Sequence, residues 1–203
     1  AARGALAEVG EVPGRGLGMV AAAPVAKGQL VLEEVPVLMC PLLEEFEDFW
    51  QSGGDVPVML EAALRERIDE FSEDDRKAFW SLHDNYASGS ACGVFMTNSL
   101  PAGEDSEEAE QALCLLAARF NHSCVPNVNH TWDNDRGVYT FFAMRDVEAG
   151  EELTICYATD LLYSTAEERQ EEMQERFRFR CEGCVSCSSG PERREGGNRG
   201  RSD

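Results

Sequence analysis

Arg119-Phe120-Asn121-His122-Ser123-Cys124-Val125-Pro126-Asn127 decides how this chain is read. Taken by itself the stretch is a polar turn. A lone histidine such as His122 is more often structural than functional, and Asn121 with Ser123 beside it often only builds a turn. About thirty residues on stands Gly150-Glu151-Glu152-Leu153-Thr154-Ile155-Cys156-Tyr157. Its stretch Glu152 to Cys156 reads as a short strand. A tyrosine ending such a strand is more often a half-buried packing residue. Far upstream lies Gly14-Arg15-Gly16-Leu17-Gly18. Closely spaced glycines let a backbone turn sharply or let a ligand approach it. They do not follow a strand and open a helix here, so this is not the dinucleotide fingerprint.

Outward from these segments the chain alternates in character. Met19-Val20-Ala21 and Gln29-Leu30-Val31-Leu32-Glu33 read as strands, with Pro24 and Lys27-Gly28 between them. From Leu42 the period changes: Leu43, Phe46, Phe49 and Trp50 fit a helix. Val58 to Phe71 and Ser72 to His83 read as two more helices, the second opened by Ser72 with Asp75 three residues on. Residues 101–111 are polar and acidic, an expected loop running into a helix with Leu113, Leu116 and Ala117 on its inner face. Val128 to Trp132 and Val138 to Met144 flank Asp133-Asn134-Asp135-Arg136-Gly137 as a hairpin. Ala166 to Arg176 is a charged helix, and the Gly-, Arg- and Ser-rich stretch 189–203 is expected to be disordered. Short strands at both ends with helices between them make the class α+β.

The 203 residues suffice for one sizeable domain. Ala1-Ala2-Arg3-Gly4 carries neither an initiator Met nor a signal pattern, so a segment of a longer chain is expected. No apolar run is long enough to span a membrane. The net charge is −20, unevenly spread: from Phe177 onward six arginines face four acids, which leaves 12 basic and 34 acidic side chains in residues 1–176. So acidic a body does not track a phosphate backbone, but it would attract a basic peptide. Solubility explains the charge equally well. Cys114 and Cys156 lie in apolar runs, as buried thiols do, and a reduced, intracellular compartment (nucleus or cytoplasm) is expected.

Asn-His-Ser-Cys-x-Pro-Asn followed by Gly-Glu-Glu-Leu-x-Ile-x-Tyr resembles the two signature motifs of SET-domain methyltransferases. The order agrees: Gly-x-Gly-Leu, an insert, Asn-His, Tyr, then clustered cysteines. An aromatic-x-Phe-x-Cys segment after a charged helix is similar to the SET-and-MYND subgroup. The resemblance spans about Val12 to Cys187. It implies a SET-type fold over 1–176 with a helical insert at about 41–118, and a cysteine-rich post-SET segment at 177–188. It also implies an enzyme that moves a methyl group from S-adenosylmethionine to a lysine of a histone or other protein. No nucleic acid or membrane partner is implied, and a monomer is expected.

Carried onto this sequence, the resemblance sets Gly14, Arg15, Gly16 and Leu17 beside the methionine moiety of the cofactor. Asn121 contacts it through its amide and His122 partly through its backbone. Phe177 and Phe179 supply the aromatic wall for adenine, Asn98 is a further contact at the edge of the insert, and Tyr157 is the active-site tyrosine. Such chemistry asks chiefly for alignment. The lysine must arrive neutral against a free pKa of about 10.4, which an apolar channel and the sulfonium charge both favour. His83, His130, Trp50, Trp80 and Trp132 read as packing residues.

Cys181, Cys184 and Cys187 stand at spacings of three. Structural zinc takes four ligands, so three local cysteines need a fourth. The resemblance supplies Cys124, which would pin the segment over the cofactor. A disulfide or free thiols are the alternative; zinc ranks ahead because a reduced compartment is expected and three cysteines cannot pair among themselves. The chain departs from the family pattern in its Cys-x-x-Cys-x-x-Cys spacing, in lacking a MYND cluster within the insert, and in having no helical-repeat tail after Cys187. Two rivals stay open: a catalytically silent SET-like scaffold for basic partners, and a small zinc module confined to 177–203.

Overall fold

The computed structural model describes residues 6–41, 57–103, 110–158, 164–181 and 187. The helix expected from Leu42, Cys184 and the stretch 189–203 lie outside the described residues. Ten short strands and four helices are described. The strands are β1 (Ala7–Val12), β2 (Gly16–Ala21), β3 (Leu30–Glu34), β4 (Leu38–Pro41), β5 (Leu100–Ala102), β6 (Glu110–Leu113), β7 (Asn121–His122), β8 (Val128–Asp133), β9 (Val138–Ala143) and β10 (Glu152–Ile155). The helices are α1 (Val58–Asp69), α2 (Glu73–Trp80), α3 (Ala91–Asn98) and α4 (Ala166–Phe177).

Three small sheets result, ordered β1-β2-β10-β7, β3-β9-β8 and β4-β6-β5. The first sheet matters most for function. β10 pairs antiparallel with β2, Leu153 opposite Met19, and parallel with β7, Ile155 opposite His122. The three motif segments, far apart in sequence, therefore become neighbouring strands. Asn127, almost wholly buried, locks the second motif to the third: its amide donates to the Glu152 carbonyl at 2.8 Å and its oxygen accepts from the Thr154 N–H at 2.8 Å.

Two cores underlie these sheets. One gathers Met19, Val31, Leu32, Phe120, Tyr139, Phe141, Leu153 and Ile155 under the strands. The other gathers Leu60, Leu64, Ile68, Phe79, Phe95 and Leu113 around α1–α3. In α1 the buried residues Leu60, Leu64 and Ile68 recur every four positions, as a helix packed on one face requires. α2 is capped by the Ser72 hydroxyl, which accepts from the Asp75 N–H at 3.1 Å.

Some sequence expectations are corrected. Leu113 ends strand β6 rather than lining a helix, and only a single 3₁₀ turn, Ala117–Arg119, follows. Between β6 and β7 the buried carboxylate of Glu34 turns the chain by accepting from the Leu116 and Ala117 N–H groups. The Gly14–Gly18 motif does follow a strand, β1, and runs directly into β2 rather than into a helix. Strand β1 is largely solvent-facing, so it carries little apolar signal. α3 was not foreseen: Ala91 through Met96 are all buried, so no one-sided period marks it.

Candidate functional site

The turn between β1 and β2 opens the site. Gly14 and Gly16 hold φ of 76° and 74°, left-handed values that side chains disfavour. Held this way, the turn presents Arg15 across to β7. Its guanidinium donates to the His122 carbonyl at 3.1 Å and pairs with Glu152 at 3.4 Å. The same Glu152 carboxylate accepts from the Asn121 amide at 2.8 Å. Gly18 makes this closeness possible, since a Cβ there would stand 2.6 Å from Asn121 Nδ2 and 2.7 Å from a Val12 methyl. One acidic side chain thus positions two residues from two different motifs.

A cleft of about 660 Å³ lies over this frame. Gly14, Arg15, Gly16 and Leu17 border it from the β1–β2 turn, Asn121 and His122 from β7, and Asn98 from the end of α3. Tyr157, just beyond β10, and Phe177 and Phe179, at the end of α4, close the remaining side. Every residue expected beside a cofactor borders this one cleft. Asn98 donates both amide hydrogens to backbone, to His83 O and Val94 O at 2.7 Å each, which leaves its oxygen as an acceptor. A smaller cavity of about 110 Å³, lined by Met96, Leu100, Pro101 and Phe120, meets the cleft at Asn98, Tyr157 and Phe177.

Tyr157 stands where the two spaces join. Its hydroxyl donates to the Phe120 carbonyl at 2.7 Å, so its oxygen retains lone pairs to accept from another group. Burial raises its pKa above the ordinary phenol range, which keeps the proton in place. Aromatic rings surround it: Phe177 at 5.2 Å, His122 at 5.3 Å and Phe179 at 6.3 Å between centroids. Burial, aided by Arg15 and Arg169 nearby, pushes His122 down to about 4, so its ring is neutral near physiological pH.

Behind His122 lies the cysteine cluster. Ligand atoms of His122, Cys124 and Cys181 all fall within 4.8 Å of one another. Cys187 Sγ is 3.4 Å from Cys124 Sγ. The Arg169 guanidinium of α4 lies beside the sulfurs of Cys124 and Cys187, close enough to interact with both. Gln170, one residue on, grips the Cys181 backbone at both ends: its oxygen accepts from Cys181 N–H at 3.0 Å and its amide donates to Cys181 O at 2.6 Å. Soft sulfur donors this close, beside a cation, fit a thiophilic ion such as zinc. Cys114 and Cys156 are buried, as their apolar contexts foretold, and so are Cys40 and Cys92.

Sequence reasoning assigned no role to Glu152, Arg169 or Gln170. The first stood inside a quoted motif, which was the available signal; the other two sit on a uniformly charged helix that offered none. His83, read as a packing residue, borders the cleft and lends its carbonyl to Asn98. His130 is half-buried and packs on the strands as expected, its ring 5.8 Å from that of Phe141.

Comparison with known proteins agrees with this arrangement. Residues 16–158 match the SET domain family. The chain is similar to histone-lysine N-methyltransferase set5 of Schizosaccharomyces pombe, 31% identical over 87% of this chain and 49% of that protein. It is also similar to histone-lysine N-methyltransferase ATXR4 of Arabidopsis thaliana, 33% identical over 50% of this chain and 30% of that protein. Mouse histone-lysine N-methyltransferase SMYD3 is 39% identical over 42% of this chain and 19% of its own length. The chain thus spans about half the length of set5, and less of the other two. On the match across 16–158 and the motif strands gathered in one sheet, the chain belongs to the SET domain family.

Proposed function

We propose that this chain transfers a methyl group from S-adenosylmethionine to the ε-amine of a lysine in a protein, a histone being one such substrate. The observation that carries the reading is the meeting of two cavities at Tyr157, a wide one bordered by the motif residues and a narrow one beyond. The names of the three relatives support the same activity. The cofactor, when bound, supplies an electrophilic methyl on a sulfonium. Arg15 and Asn121, both set by Glu152, would meet its amino-acid end, with Gly14, Gly16 and Leu17 passing close beside it. Phe179 and Phe177 would face its adenine, and the oxygen of Asn98 would accept from it.

The narrow cavity would admit the lysine side chain. Its lining mixes apolar side chains with Ser99, Gln111 and the cationic Arg176, and both the apolar surface and that positive charge disfavour an ammonium, so the amine loses its proton to water before reaction. Tyr157, held protonated and fixed through Phe120, would orient the amine or the methyl rather than act as a base. Alignment of this kind supplies several kcal/mol of a barrier to in-line displacement. Cys124, Cys181, Cys184 and Cys187 would hold one zinc ion, pinning Phe179 over the cleft. Expected partners are a lysine-bearing, basic protein segment, drawn by the acidic body.

Calorimetry on the zinc-loaded chain tests this directly. Wild type should bind S-adenosylmethionine in the micromolar range, and Asn121→Ala should abolish binding. Tyr157→Phe should keep binding and lower methyl transfer to a histone mixture about a hundredfold. A folded, metal-loaded chain that binds no cofactor would overturn the enzyme reading and leave a binding scaffold.

A further inference from the structure

The cysteine cluster offers two rival ligand sets. His122, Cys124 and Cys181 lie close enough to share one ion, which would make the histidine a ligand. The hydrogen bonds of the imidazole decide against it. Its Nδ1 lies 3.1 Å from the Tyr157 backbone nitrogen and accepts that N–H. An imidazole whose Nδ1 accepts a hydrogen bond carries its proton on Nε2. Nε2 lies 3.2 Å from Cys124 Sγ, so the N–H there points at sulfur.

To ligate through Nε2 the ring would have to move its proton to Nδ1. Nδ1–H would then face the Tyr157 N–H, donor against donor at 3.1 Å, in a site where His122 is only 4% exposed. Turning the ring over would bring carbon atoms to both contacts and satisfy neither. A thiolate, by contrast, gains from an N–H donor, because metal-bound sulfur keeps much of its negative charge. The Arg169 guanidinium of α4 adds a positive charge beside the same sulfur.

We propose that His122 is not a ligand of the metal but a positioning residue, whose Nε2–H donates to the metal-bound Cys124 sulfur while its Nδ1 holds the Tyr157 backbone. The inference rests on the zinc reading above. It leaves the fourth coordination position to a cysteine, the role the spacing gives Cys184. It also makes a three-link path, sulfur to imidazole to the peptide N–H of Tyr157, along which the state of the metal centre is felt at the transfer site. Partners of this kind are worth ten- to a hundredfold in metal affinity, about 1.4 to 2.7 kcal/mol.

The first test needs no variant. The whole chain is loaded with an NMR-active cadmium isotope and its histidine ring nitrogens are labelled; only three histidines contribute signals. The expected spectrum has a protonated Nε2 and a bare Nδ1 at His122, with no one-bond splitting by cadmium. One-bond splitting, or a proton on Nδ1, overturns the inference and leaves the zinc reading standing. A wild-type chain that takes up no cadmium removes the zinc reading, and this inference falls with it. Cobalt adds a second readout: His122→Gln should keep the thiolate-to-cobalt charge-transfer bands of the wild type unchanged in number and shape, while zinc affinity falls ten- to a hundredfold. Bands that change in that variant mark a lost nitrogen ligand and overturn it.

Discussion

On one side of the cleft, Gly16, Leu17, Asn121 and His122 ride on β2 and β7, paired through β10 and backed by buried Met19, Leu153 and Ile155. On the other, Phe177, Phe179 and Cys181 follow from α4, whose single buried residue is Met173. The first wall is held by strand pairing and apolar burial, terms that belong to the whole domain. The second is held by a few polar grips: Gln170 on the Cys181 backbone and the Phe179 N–H on Met173 O at 3.4 Å. A left-handed Arg178, φ 61°, turns the chain from the helix back toward the cleft. A site so built has one permanent wall and one held by local contacts, which the proposed zinc would reinforce.

Metal removal should divide the two walls most sharply. A strong chelator is expected to raise hydrogen exchange after Arg176 while β2, β7 and β10 keep their protection. Cofactor affinity should fall about ten- to a hundredfold, since stacking of a base on an aromatic ring is worth roughly 1–3 kcal/mol. Equal loss of protection on both sides would break the comparison. A Gly18→Ala substitution attacks the permanent wall instead. The added methyl meets Asn121 and Val12 at 2.6 and 2.7 Å, so global stability in a denaturant titration should drop by about 1–3 kcal/mol, with zinc affinity unchanged. Smallest is Thr165→Ala at the start of α4, where Thr165 and Glu168 form a reciprocal capping box. It should cost about 1 kcal/mol, read as increased fraying of α4 alone by hydrogen exchange. A drop in the global unfolding midpoint as large as that of Gly18→Ala would mean that α4 is no separate unit.

Much of the permanent wall was legible in sequence because its residue types are unusual for their places. Glycines spaced two apart, an Asn-His pair before a strand, and a tyrosine after an apolar run stand out one by one and agree in order. The hairpin Val128–Ala143 and the Ser72 cap were legible from period and turn chemistry. What stayed hidden was carried by contact rather than pattern. β1 faces solvent, α3 is buried on all sides, and Leu113 belongs to a strand although its neighbours suit a helix. Gln170 and Arg169 act through distant partners, which no spacing along α4 betrays.

The Arg15 contacts span 107 and 137 positions of chain, to the His122 carbonyl and the Glu152 carboxylate. Such closures carry a large entropic cost and form slowly in a folding chain. During synthesis the β1–β2 turn leaves the ribosome long before either partner exists. It waits as an isolated hairpin, marginal on its own, until β10 is made and slots between β2 and β7. The cleft is therefore among the last features to form, and a nascent chain stalled before residue 155 would possess helices and a core yet have nowhere to bind a ligand.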